Sequence, residues 1–228
     1  MLAKKRKITK REMKEDKLVT FYYESVDFVQ RYQNYIIGAA VGIAAVVLLA
    51  YYFVNAAETK NEKAGLELSK VMNLYDAGLY NEAIEGRPGT DIIGLKKIVD
   101  EYGGSENGEV ARMYLANSYY YTGDFSKAMD EYDDYSGDNK LFKSAAIAGV
   151  AACYSDKGQF EDAGDMYLKA SKITETNPQN SEYLLNAGIN YLRSGNKSDA
   201  KDALDLIKKD YKQSAEFSLA DRYLAQCG

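Results

Sequence analysis

Three hexamers, Gly123–Ala128 (GDFSKA), Gly158–Ala163 (GQFEDA) and Gly195–Ala200 (GNKSDA), begin 35 and 37 residues apart, each after an aromatic-rich stretch of helical period. A period in the mid-thirties is that of stacked helical hairpins. One pair of short helices cannot bury its apolar faces alone, so each pair needs a neighbour to cover it. The repeat commits most of the chain to an all-α array that works by presenting a surface. A content of 46% apolar residues can supply the core, and only two prolines in 228 residues interrupt it.

Each hexamer sits between two helical patterns. In the first unit Ala111, Leu115, Ala116 and Tyr119 line one face, Gly123-Asp124 breaks the period, and Phe125, Ala128, Met129 and Tyr132 line the next. The second unit supplies Val150, Ala151, Tyr154, Gly158-Gln159-Phe160, Ala163, Tyr167 and Ala170. The third supplies Gly188, Tyr191, Gly195-Asn196 and Ala200, with Lys197 where the turn aromatic belongs, and is expected to be the most loosely packed. Small residues are needed where the two helices cross, because a larger side chain would force them apart.

These residues closely resemble the tetratricopeptide repeat (TPR), over roughly 109–212. The resemblance implies an α-α superhelix of about three to four hairpins that binds protein. Its closing proline is represented loosely by Pro178 and is absent after the first and third units. Upstream, 77–83 (AGLYNEA) echoes the same turn, so 55–108 reads as a divergent first hairpin whose leading helix can run on from the apolar segment before it. A loop insertion over 86–91 interrupts its second helix, which resumes near Ile93. Residues 213–228 are expected to form a capping helix over the last apolar face.

Ile36–Val54 is an uncharged apolar run of 19 residues. At ~1.5 Å per residue it covers about 28 Å, close to the ~30 Å hydrocarbon thickness of a bilayer. Tyr32 and Tyr35 flank one end and Tyr51, Tyr52 and Phe53 close the other, the placement that interfacial aromatics take. Eight Lys/Arg in 1–17 precede the run (Lys4, Lys5, Arg6, Lys7, Lys10, Arg11, Lys14 and Lys17) and two acids and one lysine follow in 55–62. This charge bias places the N-terminus in the cytoplasm. A cleaved signal peptide is the rival, but its apolar core is about 7 to 15 residues and its leader shorter.

The expected order is therefore a basic cytoplasmic tail (1–17), an amphipathic juxtamembrane helix (18–35) and a single transmembrane helix (36–54) before the repeats. Leu18, Tyr22, Val26, Val29 and Tyr32 recur at helical spacing on the juxtamembrane segment, which could contact lipid or a partner. Gly38 and Gly42 form a GxxxG pair, a candidate transmembrane helix contact that leaves a homo-oligomer open.

Several chemistries find no support. With no histidine, the usual neutral-pH base and commonest zinc nitrogen are missing. Cys153 and Cys227 match no CxxC pattern, and Cys153 lies on an apolar helix face. Gly89–Gly94 has the glycine spacing of a P-loop, but Leu95 stands where lysine should follow. The acids of 130–138 are out of register for an EF-hand. Residues 55–228 carry twenty Lys/Arg against twenty-nine Asp/Glu, a net −9 that repels phosphate backbones. No catalytic, cofactor-binding or metal site is expected.

The TPR resemblance implies a peptide groove along the first helices. By position its candidates are Met113, Asn117, Tyr120 and Tyr121, then Ser155 and Asp156, then Leu185, Asn186, Ile189 and Arg193. Modules that clamp chaperone carboxylates carry Lys or Arg there, whereas Met113 and Glu182 occupy two such positions here, so that activity is rejected. Basic tail, one span, a short acidic array and a GLKKIVDEYGG element (94–104) together resemble bacterial YfgM-type anchored proteins. That resemblance implies an inner-membrane protein with a periplasmic domain, attached to the Sec translocon or a periplasmic chaperone. The alternatives are an envelope-assembly or cell-division adaptor, an organellar import receptor of opposite orientation, and an enzyme with an unrecognised site.

Overall fold

The structure is a computed structural model and describes residues 10–228, the side chains of 10–16 and of Leu18 excepted. Lys4, Lys5, Arg6 and Lys7 of the expected tail lie outside the described residues, as do the side chains of Lys10, Arg11, Lys14 and Leu18. Among the described residues there are ten α-helices and no strand. They are α1 (Lys10–Asp76), α2 (Tyr80–Glu85), α3 (Leu95–Tyr102), α4 (Glu106–Tyr121), α5 (Phe125–Asp133), α6 (Lys140–Asp156), α7 (Phe160–Ser171), α8 (Asn180–Ser194), α9 (Lys197–Asp210) and α10 (Glu216–Leu224). The chain divides into two compact units, Met1–Ala56 and Ala57–Gly228.

In the first unit the expected juxtamembrane and apolar segments form one uninterrupted stretch of α1, which is long and apolar enough to cross a membrane. All residues of 36–54 are exposed. Gly38 and Gly42 do not break the helix, and nothing lies within 4 Å of the position a Cβ would take on either.

The second unit is a stack of hairpins in which each helix packs chiefly on its chain neighbours. Four turns share one geometry, the one expected at 77–83 among them. Gly78, Gly123, Gly158 and Gly195 all have φ between +72° and +84°, a conformation costly for any residue with a Cβ. After each, the next N–H reaches back five residues: Leu79 to Leu74, Asp124 to Tyr119, Gln159 to Tyr154 and Asn196 to Tyr191, all at 2.8–2.9 Å. This Schellman closure satisfies a carbonyl that the helix end would otherwise leave bare. Ala83, Ala128, Ala163 and Ala200 then donate to the residue four before them and are fully buried. Side-chain capping helps at two turns, where Asp124 accepts from the Lys127 N–H and Asn196 from the Asp199 N–H.

The divergent hairpin pairs the end of α1, through buried Ala64, Leu68, Val71 and Leu74, with α2 and α3. The loop between α2 and α3 is longer than expected, since helix resumes at Leu95. Gly86 and Gly94 pinch its ends together, a Cβ on Gly94 falling within 2.6 Å of backbone atoms of 84–86. One continuous apolar cluster runs from α1 to α6, and smaller ones join α6, α7 and α8 and then α8, α9 and α10. Polar contacts add to the second hairpin and its exit: the Ser144 hydroxyl on α6 donates to the Ala170 carbonyl on α7 (2.6 Å) and accepts from the Asn177 amide in the α7–α8 connection (3.1 Å).

The third hairpin is not loose. Tyr191, Ala200, Ala203, Leu204 and Ile207 are all buried, and a Cβ on Gly188 would lie 2.7 Å from Leu204. Packing survives without the turn aromatic because the buried contacts come from the Ala200–Ile207 face of α9, covered by α8 and α10. Lys197 instead donates to the Gly228 carbonyl (3.2 Å).

Candidate protein-binding face

The first helices of successive hairpins are tied by side chains one repeat apart. Tyr120 on α4 donates its hydroxyl to Asp156 on α6 (2.6 Å), and Ser155 on α6 donates to Asn190 on α8 (2.8 Å). Ser181 on α8 donates to Glu216 on α10 (2.9 Å). The residues linked are 36, 35 and 35 apart, so the sequence period is written again in the hydrogen bonds.

This arrangement sorts the ten groove candidates. Met113 and Leu185 are buried in apolar clusters and present nothing to a ligand. Asn117 accepts from the Tyr132 hydroxyl (2.6 Å), while Tyr120 and Ser155 are used in the ties just described. Asn186 and Ile189 are half-buried, the Asn186 carbonyl accepting from the Asn190 amide. Tyr121, Asp156 and Arg193 are exposed. These three share one repeat position, two residues before the turn glycines Gly123, Gly158 and Gly195.

Aromatic residues gather where the first hairpin meets α4. The Tyr80 and Tyr121 rings stack with centroids 4.8 Å apart, Tyr75 meets Tyr80 and Tyr114 edge-on, and Tyr120 lies between Tyr121 and Phe125. Burial pushes the Tyr75 phenol up to about 12. It also raises Tyr120, which the Asp156 carboxylate shifts further, so both stay neutral donors at physiological pH. Tyr75, Tyr80 and Tyr114 were not among the sequence candidates. Tyr80 carried a signal, since it stands two residues after Gly78 as Phe125 and Phe160 stand after their glycines.

At the far end of the hairpins lies a cleft of about 340 Å³ between the α3–α4 and α5–α6 connections. Glu109, only 3% exposed, stands in its wall. One carboxylate oxygen accepts from the Gly104 N–H (3.0 Å) and the other from the Ser136 N–H (2.8 Å), and the second lies 3.6 Å from Arg112. Arg112 pairs with Glu131 at 2.7 Å. Burial raises the Glu131 carboxyl and Arg112 opposes the rise. Both oxygens of Glu109 are committed to holding two connections together, a structural use of a buried acid. No group of three or more Asp, Glu or Cys side chains able to hold a metal occurs among the described residues.

Neither cysteine forms a disulfide. Cys153 is fully buried, and burial lifts its thiol to about 11. An alkylating reagent at pH 8 is expected to modify Cys227 in the folded protein and Cys153 only after denaturation, as mass spectrometry of the tryptic peptides would read. Equal labelling of both in the native state would contradict this burial.

The family model described as tetratricopeptide repeat matches residues 182–214, the α8–α9 hairpin and the connection after it. The match falls on the unit whose turn lacks an aromatic. Comparison with curated proteins yields no match.

Proposed function

We propose, from the premise that this chain carries a tetratricopeptide repeat, that it is a membrane-anchored scaffold whose repeat domain gathers proteins on the periplasmic side of a bacterial inner membrane. TPR domains bind protein partners and generally act as non-enzymatic scaffolds, and the chain has a helix able to cross a membrane. The finer reading rests on the charge bias around 36–54, which favours a cytoplasmic N-terminus and a translocated repeat domain. The architecture of basic tail, single span and acidic array favours a place beside the Sec translocon and periplasmic chaperones. Residues 1–54 would contact lipid, and the acidic array disfavours nucleic acid.

The observation that carries the scaffold reading is the repeated hairpin itself, closed by the same turn four times. Protease added to spheroplasts is expected to degrade 57–228 and spare an N-terminal fragment, followed by antibodies to each end. Protection of the repeat domain would reverse the orientation. Crosslinking in native membranes is expected to capture translocon or chaperone subunits. Recovery of division or envelope-assembly proteins alone would replace that placement.

A further inference from the structure

We propose that the surface formed by Tyr121, Phe125 and Asp156 takes an arginine side chain from an extended segment of a partner protein. The proposal rests on the scaffold reading and adds the chemistry of what is held. Its basis is a comparison between repeats. The turn aromatic of one hairpin is Tyr80, Phe125 and Phe160 in succession, and the exposed position of the following hairpin is Tyr121, Asp156 and Arg193.

In two of these three junctions the chain covers its own aromatic. Tyr121 stacks on Tyr80, with ring centroids 4.8 Å apart and planes at 21°. Arg193 places its guanidinium 5.5 Å from the centre of the Phe160 ring. In the middle junction the half-buried Phe125 meets the Tyr120 ring of its own hairpin (centroids 5.6 Å apart), and Asp156 stands where the next repeat has Arg193. A carboxylate is repelled by the negative face of an aromatic ring, so Asp156 cannot do for Phe125 what Arg193 does for Phe160.

Asp156 is instead held by the Tyr120 hydroxyl, which takes one oxygen at 2.6 Å. No cation forms an ion pair with it among the described residues, although Lys157 is its chain neighbour. By contrast Asp124 has Lys127 at 2.6 Å and Asp221 has Lys208 at 2.8 Å. The middle junction therefore offers the exposed Tyr121 ring, the open part of Phe125 and a fixed carboxylate without an ion-pair partner, on a unit of net charge −9. An arginine satisfies both at once, because its flat guanidinium stacks on a ring while its fork donates to a carboxylate. A phosphate-bearing partner would be repelled by the same charges.

The test is a titration of the full-length chain in detergent micelles, with tyrosine side chains observed by NMR. The probe is a blocked glycine–serine peptide with one central arginine, beside versions carrying lysine or uncharged citrulline. The arginine peptide is expected to shift Tyr120 and Tyr121, with the citrulline peptide about tenfold weaker, as loss of a charged hydrogen bond and a cation–π contact implies. Asp156→Asn and Tyr121→Leu are each expected to weaken binding about threefold, since such contacts are modest at exposed sites.

Asp156→Arg copies the self-covered third repeat and is expected to abolish binding. Both positions are exposed, and an unchanged melting curve for each variant shows that the fold is kept. Equal affinity for arginine and citrulline, lysine binding as tightly as arginine, or an Asp156→Arg variant that binds normally overturns the proposal. If native crosslinking recovers the same partners in equal yield from wild type and Asp156→Arg, the arginine site falls and the scaffold stands. If wild type recovers none, the scaffold reading falls and the peptide titration still decides the site.

Discussion

Replacing Tyr191 by alanine is expected to lower the stability of the repeat unit by about 4 kcal/mol, the cost of emptying a large aromatic site in a core. Tyr191 is 1% exposed, packs against Gly164 so closely that a Cβ there would lie 2.7 Å from the ring, and donates its hydroxyl to Asp165 at 2.6 Å. It thereby joins α8 to α7 as well as closing the turn into α9. Tyr191→Phe keeps the ring and loses only the hydroxyl bond, so about 1 kcal/mol is expected from it. Urea unfolding of the full-length chain, with hydrogen exchange read over α7–α9, separates the two. A phenylalanine variant as damaged as the alanine one would mean that the Asp165 bond, not ring burial, holds this junction.

Glu109→Ala is expected to cost about 3 kcal/mol, because it removes two hydrogen bonds to a buried carboxylate and one acidic neighbour of Arg112 at once. Glu109→Gln does not repair the loss. An amide offers one acceptor where Gly104 and Ser136 each bring an N–H, so its NH₂ must face a donor. The same unfolding experiment should therefore find the glutamine variant well below wild type. Near-wild-type stability for Glu109→Gln would show that the two N–H bonds contribute little. Opening of the α3–α4 and α5–α6 connections should appear first in exchange at Gly104 and Ser136.

The turns were the most legible part of this chain, for a physical reason. A Schellman closure needs a glycine at positive φ, and the small residue five later is fixed by helix crossing, so two positions per repeat are dictated by geometry alone. Gly78 obeys the rule although its hairpin departs from the repeat afterwards. The run of α1 from the apolar segment into the first hairpin was legible too, since no proline stands before residue 88. Hydropathy changes along it, so the sequence divides into segments, while one helix spans them all.

Which first-helix residues face outward was only partly readable. Register carried over from a repeat family says which side of α4 Met113 lies on, but not that the cluster around it closes over Met113. Tyr120 and Ser155 look like free polar groups in sequence because their partners lie a whole repeat away. The weight given to Lys197 was misplaced, since an aromatic at the turn matters where another hairpin must be met, and after α9 only the short α10 follows.

The ties from Tyr120 to Asp156, Ser155 to Asn190 and Ser181 to Glu216 have a mechanical consequence. Each bond bridges two hairpins and none bridges three, so each pins the spacing of one junction only. Short side chains at both ends of the middle bond leave little slack, whereas the long tyrosine on the first swings on its ring. By side-chain length the α6–α8 tie has the least play of the three, since Glu216 lengthens the last as Tyr120 lengthens the first.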